Sequence, residues 1–345
     1  MNILLYRANN LRFLAFLFHK SIDDWNRYFN DSPPTPYSDG TKQFRKTDPN
    51  GKYFVTDCKY ENFKYTCVSV NSEGPNHLGI SETKFIKCSA DGGIPCTIFR
   101  NGSFFQYRVT GNDCSSDSEG AGIHTIVEVR ENSNDLSIIE ESSISGYSGE
   151  ISGGVLWHKN GNISFVSINE SNCKTKSNVG YVITNDASGR TNIKFCQFIS
   201  NEAVERCYYH GKSQHFIECC NYLNSSFSST TTTFPGVIYL EYANSFLTIS
   251  NSVIKDNSGK VLLFANFRNS YFIVDRCFIE NPKVAIITGG YGNFQFKHKD
   301  FIYILNAPYK NCIFRDMKYK TIYVNNLYRC TNNNLIYFFA FLSDS

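Results

Sequence analysis

The chain reads as an all-β parallel β-helix of about ten to eleven coils with a short N-terminal helical cap. Three observations predict this. A nine-residue phrase, Ile-x-x-small-x-aromatic/Ile-x-x-small/polar, recurs at Ile80–Cys88, Ile193–Asn201, Ile249–Asn257 and Ile273–Asn281. Short β-branched and aromatic runs lie between the copies. Turn residues separate each run from the next phrase. Further copies start at Val55, Ile139, Ile163 and Ile217, looser ones at Val109 and Tyr309, and a last one at Ile336. Starts are 24 to 36 residues apart, a period that belongs to stacked units too small to bury an apolar face alone.

The intervening runs, such as Thr125–Val129, Gly154–Trp157, Gly180–Thr184, Val237–Leu240, Val261–Phe264 and Ala285–Thr288, have the length of strands rather than helices. Asn132–Asp135, Lys159–Asn162, Asp186–Gly189 and Gly289–Asn293 supply turns. No helical periodicity runs on after about residue 50. The Leu-x-x-Leu-x-Leu pattern of a leucine-rich repeat is missing, and a propeller blade needs about 40 residues.

The phrase is a packing code. Side chains alternate along a flat strand, so positions 1 and 6 share a face only if the chain bends between them. Position 4 then points inward at the bend and must be small. Cys58, Thr83, Asn112, Ser142, Cys196, Cys220, Ser252 and Cys312 stand there, with Val166, Arg276 and Phe339 as exceptions. Stacking predicts an aliphatic ladder at position 1, an aromatic one at position 6, and a partial Asn ladder of Asn201, Asn257 and Asn281 at position 9.

With these phrases the chain resembles the right-handed parallel β-helix, or pectin-lyase-like, superfamily. It is most similar to the Cys/Asn-rich β-helix proteins of trichomonad protozoa, which carry phrases of the type Ile-x-x-Cys-x-Phe-x-x-Asn, as in Ile193–Asn201. The resemblance covers roughly Tyr53 to the C-terminus. It implies a cell-surface or secreted setting, and glycans or cell-surface proteins as partners. The superfamily holds lyases, hydrolases and adhesins, so the fold alone assigns no activity.

Residues 1–50 lack the repeat and are expected to form an N-terminal cap and a Pro-containing linker, with residues 51–345 as the β-helix. Leu11–Phe18 is short for a signal peptide core and reads as a helix capping the open end of the solenoid. Residues 31–40 read as the linker. Leu335–Leu342 is far too short to span a bilayer. The last phrase has no obvious cap, which makes end-to-end self-association an expectation.

Net charge is +3, which gives no electrostatic case for nucleic acid or an anionic membrane. The 13 cysteines carry no zinc spacing. Several occupy the buried small position and read as reduced core residues, although Cys196 and Cys220, in neighbouring coils, are close enough for a disulfide. Asn-x-Ser sequons at Asn30, Asn101, Asn162, Asn169 and Asn224 occur about as often as chance allows. No metal or cofactor is expected.

A β-helix polysaccharide enzyme needs outward carboxylates that converge on one bond. Position 8 holds Glu170, Ser200, Asn224, Asp256, Glu280 and Asp316. Asp256, Glu280 and Asp316 would stack as an acidic column, which needs a cation or splayed side chains to relieve repulsion. Position 3 carries Asp57, Glu82, Glu141 and Asp275, interrupted by Gly111, Phe165, Phe195 and Cys219. His158 and His210 are expected at strand-to-turn edges, with no carboxylate fixed beside them. Polygalacturonase-type phrases are missing, apart from an isolated His210-Gly211 and an Asp23-Asp24 outside the repeat. Gly289–Gly292 lacks the Lys of a phosphate loop. The expectation is therefore a non-catalytic scaffold for surface binding or adhesion. The alternative is a carbohydrate-active lyase or hydrolase using the Asp256, Glu280 and Asp316 region.

Overall fold

The computed structural model describes residues 23–297 except 30, 91–92, 117–123, 132, 150–153, 185–188, 229–235 and 282, together with 303–305, 330–332 and 335–337. Within these residues the chain winds as a parallel β-solenoid. One coil shows the plan. Arg190–Lys194, Gln197–Ile199, Glu202–Ala203 and Arg206–His210 are its four strands. Each pairs in parallel with its counterpart one coil on: Gln214–Glu218, Asn221–Leu223, Ser226–Phe227 and Gly236–Leu240. The second strands of successive coils build one ten-stranded sheet, which spans about nine full turns.

Two corners per coil explain the phrase. The residue at position 3 has positive φ in nine successive coils: Asp57, Glu82, Arg108, Glu141, Ser167, Phe195, Cys219, Asn251 and Arg276. The residue at position 8 repeats this at Asn62, Lys87, Asp113, Gly146, Asn172, Ser200, Asn224 and Asp256. A left-handed residue turns the strand sharply, and it costs about 1–2 kcal/mol for most side chains. It also takes the flanking N–H and C=O groups out of the sheet ladder, where burial without a partner is costly.

At most corners a small polar residue after the left-handed one makes up those bonds, the exceptions being Val109 and Ile168 at position 4 and Phe63 and Tyr147 at position 9. At position 4, the Cys220 thiol faces the Glu218 and Ile193 carbonyls, and the Cys220 N–H donates to Ser252 Oγ at 3.1 Å in the next coil. Ser252 Oγ in turn donates to the Ser250 carbonyl at 2.7 Å, and Cys277 repeats the pattern on Asp275 and Ile249. At position 9, the Ser225 N–H donates to Asn257 Oδ1 at 2.9 Å, and the Asn257 N–H to Asn281 Oδ1 at 2.9 Å. The expected Asn ladder is present, and its members are fully buried. Small size is only half of the requirement at these corners. The other half is a hydrogen-bonding atom one or two bonds beyond Cβ.

Several copies of the phrase are set in a different register from the expected one. The coils read as starting at Val109, Ile163 and Ile273 have Gln106, Phe165 and Val274 at the inward first position. Neighbouring Val109, Ile163 and Ile273 mimic the first position there. Consequently Val109, Ile168 and Cys277 occupy position 4, in place of Asn112, Val166 and Arg276. Arg276 is instead a left-handed corner residue paired with Asp275 at 3.1 Å. Leu335–Tyr337, in the phrase expected at Ile336, pairs antiparallel with Cys330–Asn332 rather than extending the parallel ladder. The copy at Tyr309, with Cys312, lies outside the described residues, as do Phe339 and Leu11–Phe18.

The aromatic ladder at position 6 is broken in the middle. Tyr60 stacks on Phe85 at 5.4 Å and Phe198 on Tyr222 at 5.0 Å. Between them the inward column runs Gly111, Ile144, Glu170. A Cβ on Gly111 would lie 2.3 Å from the Tyr147 hydroxyl, so the phenol of the next coil fills that gap. All eleven cysteines with described side chains are free thiols, ten of them buried. Cys196 and Cys220 are stacked thiols, with the Cys196 N–H on Cys220 Sγ at 3.5 Å.

At the N-terminal end, Tyr37 bridges to the first coil through its N–H on the Phe54 carbonyl and its own carbonyl on the Thr56 N–H. Phe44–Lys46 pairs with Val68–Val70. Residues 31–40 thus lie along the solenoid edge, where Pro residues are tolerated because no N–H is needed. The short helix 23–28 packs on the flank of the coils. Trp25 and Phe29 meet the outward rings of Phe54 and Phe105, and Asp24 accepts a bond from Ser81 Oγ at 2.6 Å.

Ser252→Ala removes an acceptor and a donor from one buried corner and is expected to cost about 1–3 kcal/mol in urea unfolding. Ser252→Cys should stay much closer to wild type. Phe195→Asn, at a corner where Phe195 is left-handed and exposed, is expected to stabilise by about 0.5–1 kcal/mol in the same assay.

Candidate functional site

The acidic column expected at position 8 does not assemble as one. Asp256 sits at a left-handed corner, exposed. The following coil lacks the equivalent corner residue, so Glu280 lies on the second strand, opposite Lys255 rather than Asp256. Lys255 Nζ is 3.3 Å from Glu280 Oε2 and 4.0 Å from Asp256 Oδ2. A lysine thus supplies the positive charge that the column was expected to need. Asp316 lies outside the described residues.

The same rule recurs elsewhere on the surface. Arg108 holds Glu82 at 3.4 Å and Glu141 at 2.8 Å, Arg100 holds Glu128 at 3.1 Å, and Lys194 holds Glu218 at 2.8 Å. Stacking at strand spacing puts like positions beside one another, and opposite charges relieve the repulsion. Among the described residues, no group of three or more His, Cys, Asp or Glu is placed to hold a metal ion.

Glu170, expected outward at position 8, points into the core at position 6. The start two residues later, at Phe165, causes the shift. Glu170 is fully buried between Ile144 and Phe198, and neither carboxyl oxygen has a partner. Burial alone raises its pKa to about 8, so the side chain is a neutral acid at pH 7.

His158 and His210, expected at strand edges, are also fully buried. They face inward on fourth strands of their coils. His158 Nδ1 lies 2.6 Å from Ser137 Oγ and its Nε2 3.1 Å from Thr125 Oγ1. The Tyr181 hydroxyl lies 2.9 Å from His210 Nε2 and 2.8 Å from the Tyr222 hydroxyl. His124 contacts the Tyr147 hydroxyl at 2.8 Å, and Tyr147 reaches Cys96 Sγ at 3.2 Å. Desolvation lowers His124 and His158 to about 3 and His215 to about 4. These neutral, closed pairings tie coils together and do not open onto a surface.

Two outward features remain. On the ten-stranded sheet, Thr110, Ser143, Asn169, Gln197 and Asn221 stack in register, with Asn112, Ser145 and Ser171 in the parallel column. This stretch carries no charge. The second feature is aromatic. Tyr242, Phe246, Phe267 and Tyr291 are all exposed, Tyr291 at 68%, and they gather at the turns between fourth and first strands of the last described coils. Phe246 stacks on Tyr271 at 5.0 Å. Beyond a high aromatic content, nothing in the nine-residue phrase singles out these residues, because they lie in the variable turns.

No family model, curated protein or solved structure matches this chain.

The buried groups fix a pH profile. Glu170 has a folded pKa above its ordinary 4.5, so the folded state holds a proton that the unfolded chain releases, and stability is lost as pH rises towards 8. His124, His158, His210 and His215 have folded values below 6.5, so stability is lost as pH falls below 6.5. Stability should therefore peak near pH 7, where the residual titration of four unfolded-state histidines balances that of the single Glu170. Between pH 7 and 9 it should drop by up to about 1 kcal/mol, and Glu170→Gln should remove that drop in urea melts.

Proposed function

We propose that this protein is a non-catalytic β-helix scaffold that binds partners on its outer surface, in a surface-binding or adhesion role. The observation that carries this reading is the division between interior and exterior. Titratable groups with strongly shifted pKa values, Glu170 and the four histidines, are sealed in the core, where no substrate reaches them. Many outward carboxylates are held by a lysine or arginine on the ladder, so their oxygens are engaged within the stack rather than set in pairs across a shared cleft. Perturbed acids and bases opening onto a shared cleft are the usual mark of catalysis.

The exposed aromatic turns support a binding role. Solvent-exposed rings gathered in one place mark interaction sites. The resemblance of the nine-residue phrase to pectin-lyase-like β-helices, and to their Cys/Asn-rich trichomonad members, agrees with glycans or cell-surface proteins as partners and with an extracellular setting. Among the described residues, no helix is long and apolar enough to cross a membrane.

The test is an array that carries neutral glycans, acidic glycans and extracellular proteins, run beside a depolymerisation screen on pectin, alginate and glycosaminoglycans. Binding without product formation is the expected outcome. Release of shortened chains, abolished by Asp256→Asn with Glu280→Gln, would establish the lyase or hydrolase alternative instead.

A further inference from the structure

We propose that the stacked turns between fourth and first strands in the three successive coils from Gly236 to Lys297 form a binding site for a neutral glycan chain. The inference rests on the binding-scaffold reading above and names its ligand class. Glu241–Ser245, Asn266–Ser270 and Tyr291–Gly292 are stacked turns, since the strands on both sides are paired in register: Leu240 with Ala265 and Gly290, and Phe246 with Tyr271 and Asn293. Tyr242 at 43% exposure, Phe267 at 42% and Tyr291 at 68% project from these turns, and Phe246 at 39% flanks them. Among the described residues no other ring stacks on Tyr242, Phe267 or Tyr291, and each keeps a large share of its surface in water. Apolar rings held in water at adjacent levels of a rigid stack are unfavourable unless something covers them.

The polar groups between the rings specify what covers them. Asn244, Asn269 and Asn293 stand beside the rings on successive turns, all exposed. Asn269 Nδ2 donates to Asn244 Oδ1 at 2.6 Å, and Asn293 Nδ2 to the Arg268 carbonyl at 2.6 Å. These bonds hold the carboxamides of exposed residues and use only Asn244 Oδ1, Asn269 Nδ2 and Asn293 Nδ2. A carboxamide offers both functions side by side, which suits the vicinal hydroxyls of a sugar. The ring faces suit the apolar C–H face of the same sugar, as amphipathic aromatic surfaces do for ligands with one apolar side.

Charge selects among sugars. Arg268 is the exposed cation of the turns, and Glu241 is half-buried with its carboxyl raised by desolvation. One positive and one negative group do not form the row of cations that an acidic polysaccharide needs. The turns repeat at strand spacing along the solenoid axis, so the site accommodates an extended chain rather than a single sugar.

The experiment measures binding of the full chain to immobilised cellohexaose, xylohexaose, mannohexaose and N-acetylchitohexaose, with hexagalacturonate as the acidic comparison. At least one neutral hexamer should bind. Tyr242→Ala with Phe267→Ala should weaken that binding about tenfold or more, and Asn244→Ala with Asn269→Ala should weaken it severalfold. Tyr65→Ala with Phe195→Ala, exposed rings elsewhere on the solenoid, should leave it unchanged. All three pairs are surface changes, and thermal melts confirm that each variant folds. Binding that survives both turn variants would place the site elsewhere. Binding of hexagalacturonate alone would overturn the neutral class. If no hexamer binds while the wider array retains a protein partner, the glycan site falls and the scaffold reading stands. If the array retains nothing, the scaffold reading falls too.

Discussion

The left-handed corner is the constraint on which the rest of this solenoid depends. A strand of three to five residues cannot enclose a core, so each coil must turn sharply. A left-handed residue makes that turn within one residue. It also strips hydrogen bonds from the groups on either side of it. The chain recovers them through the next side chain, which bonds back to a carbonyl of its own coil and accepts an N–H from the coil before it, as Ser252 does for Ser250 and Cys220. A corner closed in this way is therefore complete only when its neighbouring coil is in place. That makes stacking cooperative and fixes the register of every sheet at once.

This requirement accounts for the composition. Cys, Ser, Thr and Asn are the side chains that fit beneath a sharp turn and still present a hydrogen-bonding atom. Cys58, Cys196, Cys220 and Cys277 at one corner and Cys88, Cys114 and Cys173 at the other are buried free thiols. Their placement follows the corner geometry, with no need of a redox or metal role. The interior departs from pure hydrocarbon for a related reason. Where aromatic stacking fails, at Gly111 and Glu170, phenol, imidazole and thiol groups fill the space and pair with one another. The two oxygens of Glu170 are left over.

Much of the fold was legible in the sequence because stacking writes the same packing demand once per coil. Positions 1, 4 and 6 of the copies at Ile80, Ile193 and Ile249 lie where the phrase puts them. The failures have a common cause. Gln106, Phe165 and Val274 replace Ile at the first inward position, and a β-branched residue nearby, Val109, Ile163 or Ile273, offers a false start. A slip of one or two residues then carried Glu170 from the core to an imagined surface column, and Arg276 from a surface corner into the core. The site was less legible. A turn residue such as Tyr291 or Phe267 has no periodic partner in sequence, and its exposure follows only from how the turns stack. Asp256 and Glu280 were recognised as neighbours, but the missing corner residue that sets Glu280 against Lys255 was not.

Native-state hydrogen exchange reads out whether side chains of the next coil satisfy the corner amides. The amides of Cys173, Cys196, Cys220, Ser225 and Asn257 each donate to a side chain one coil on. They should exchange as slowly as strand amides such as that of Ile217, through opening of whole coils. Exchange of these amides at the rate of an exposed turn amide, with the strand amides still protected, would contradict the account.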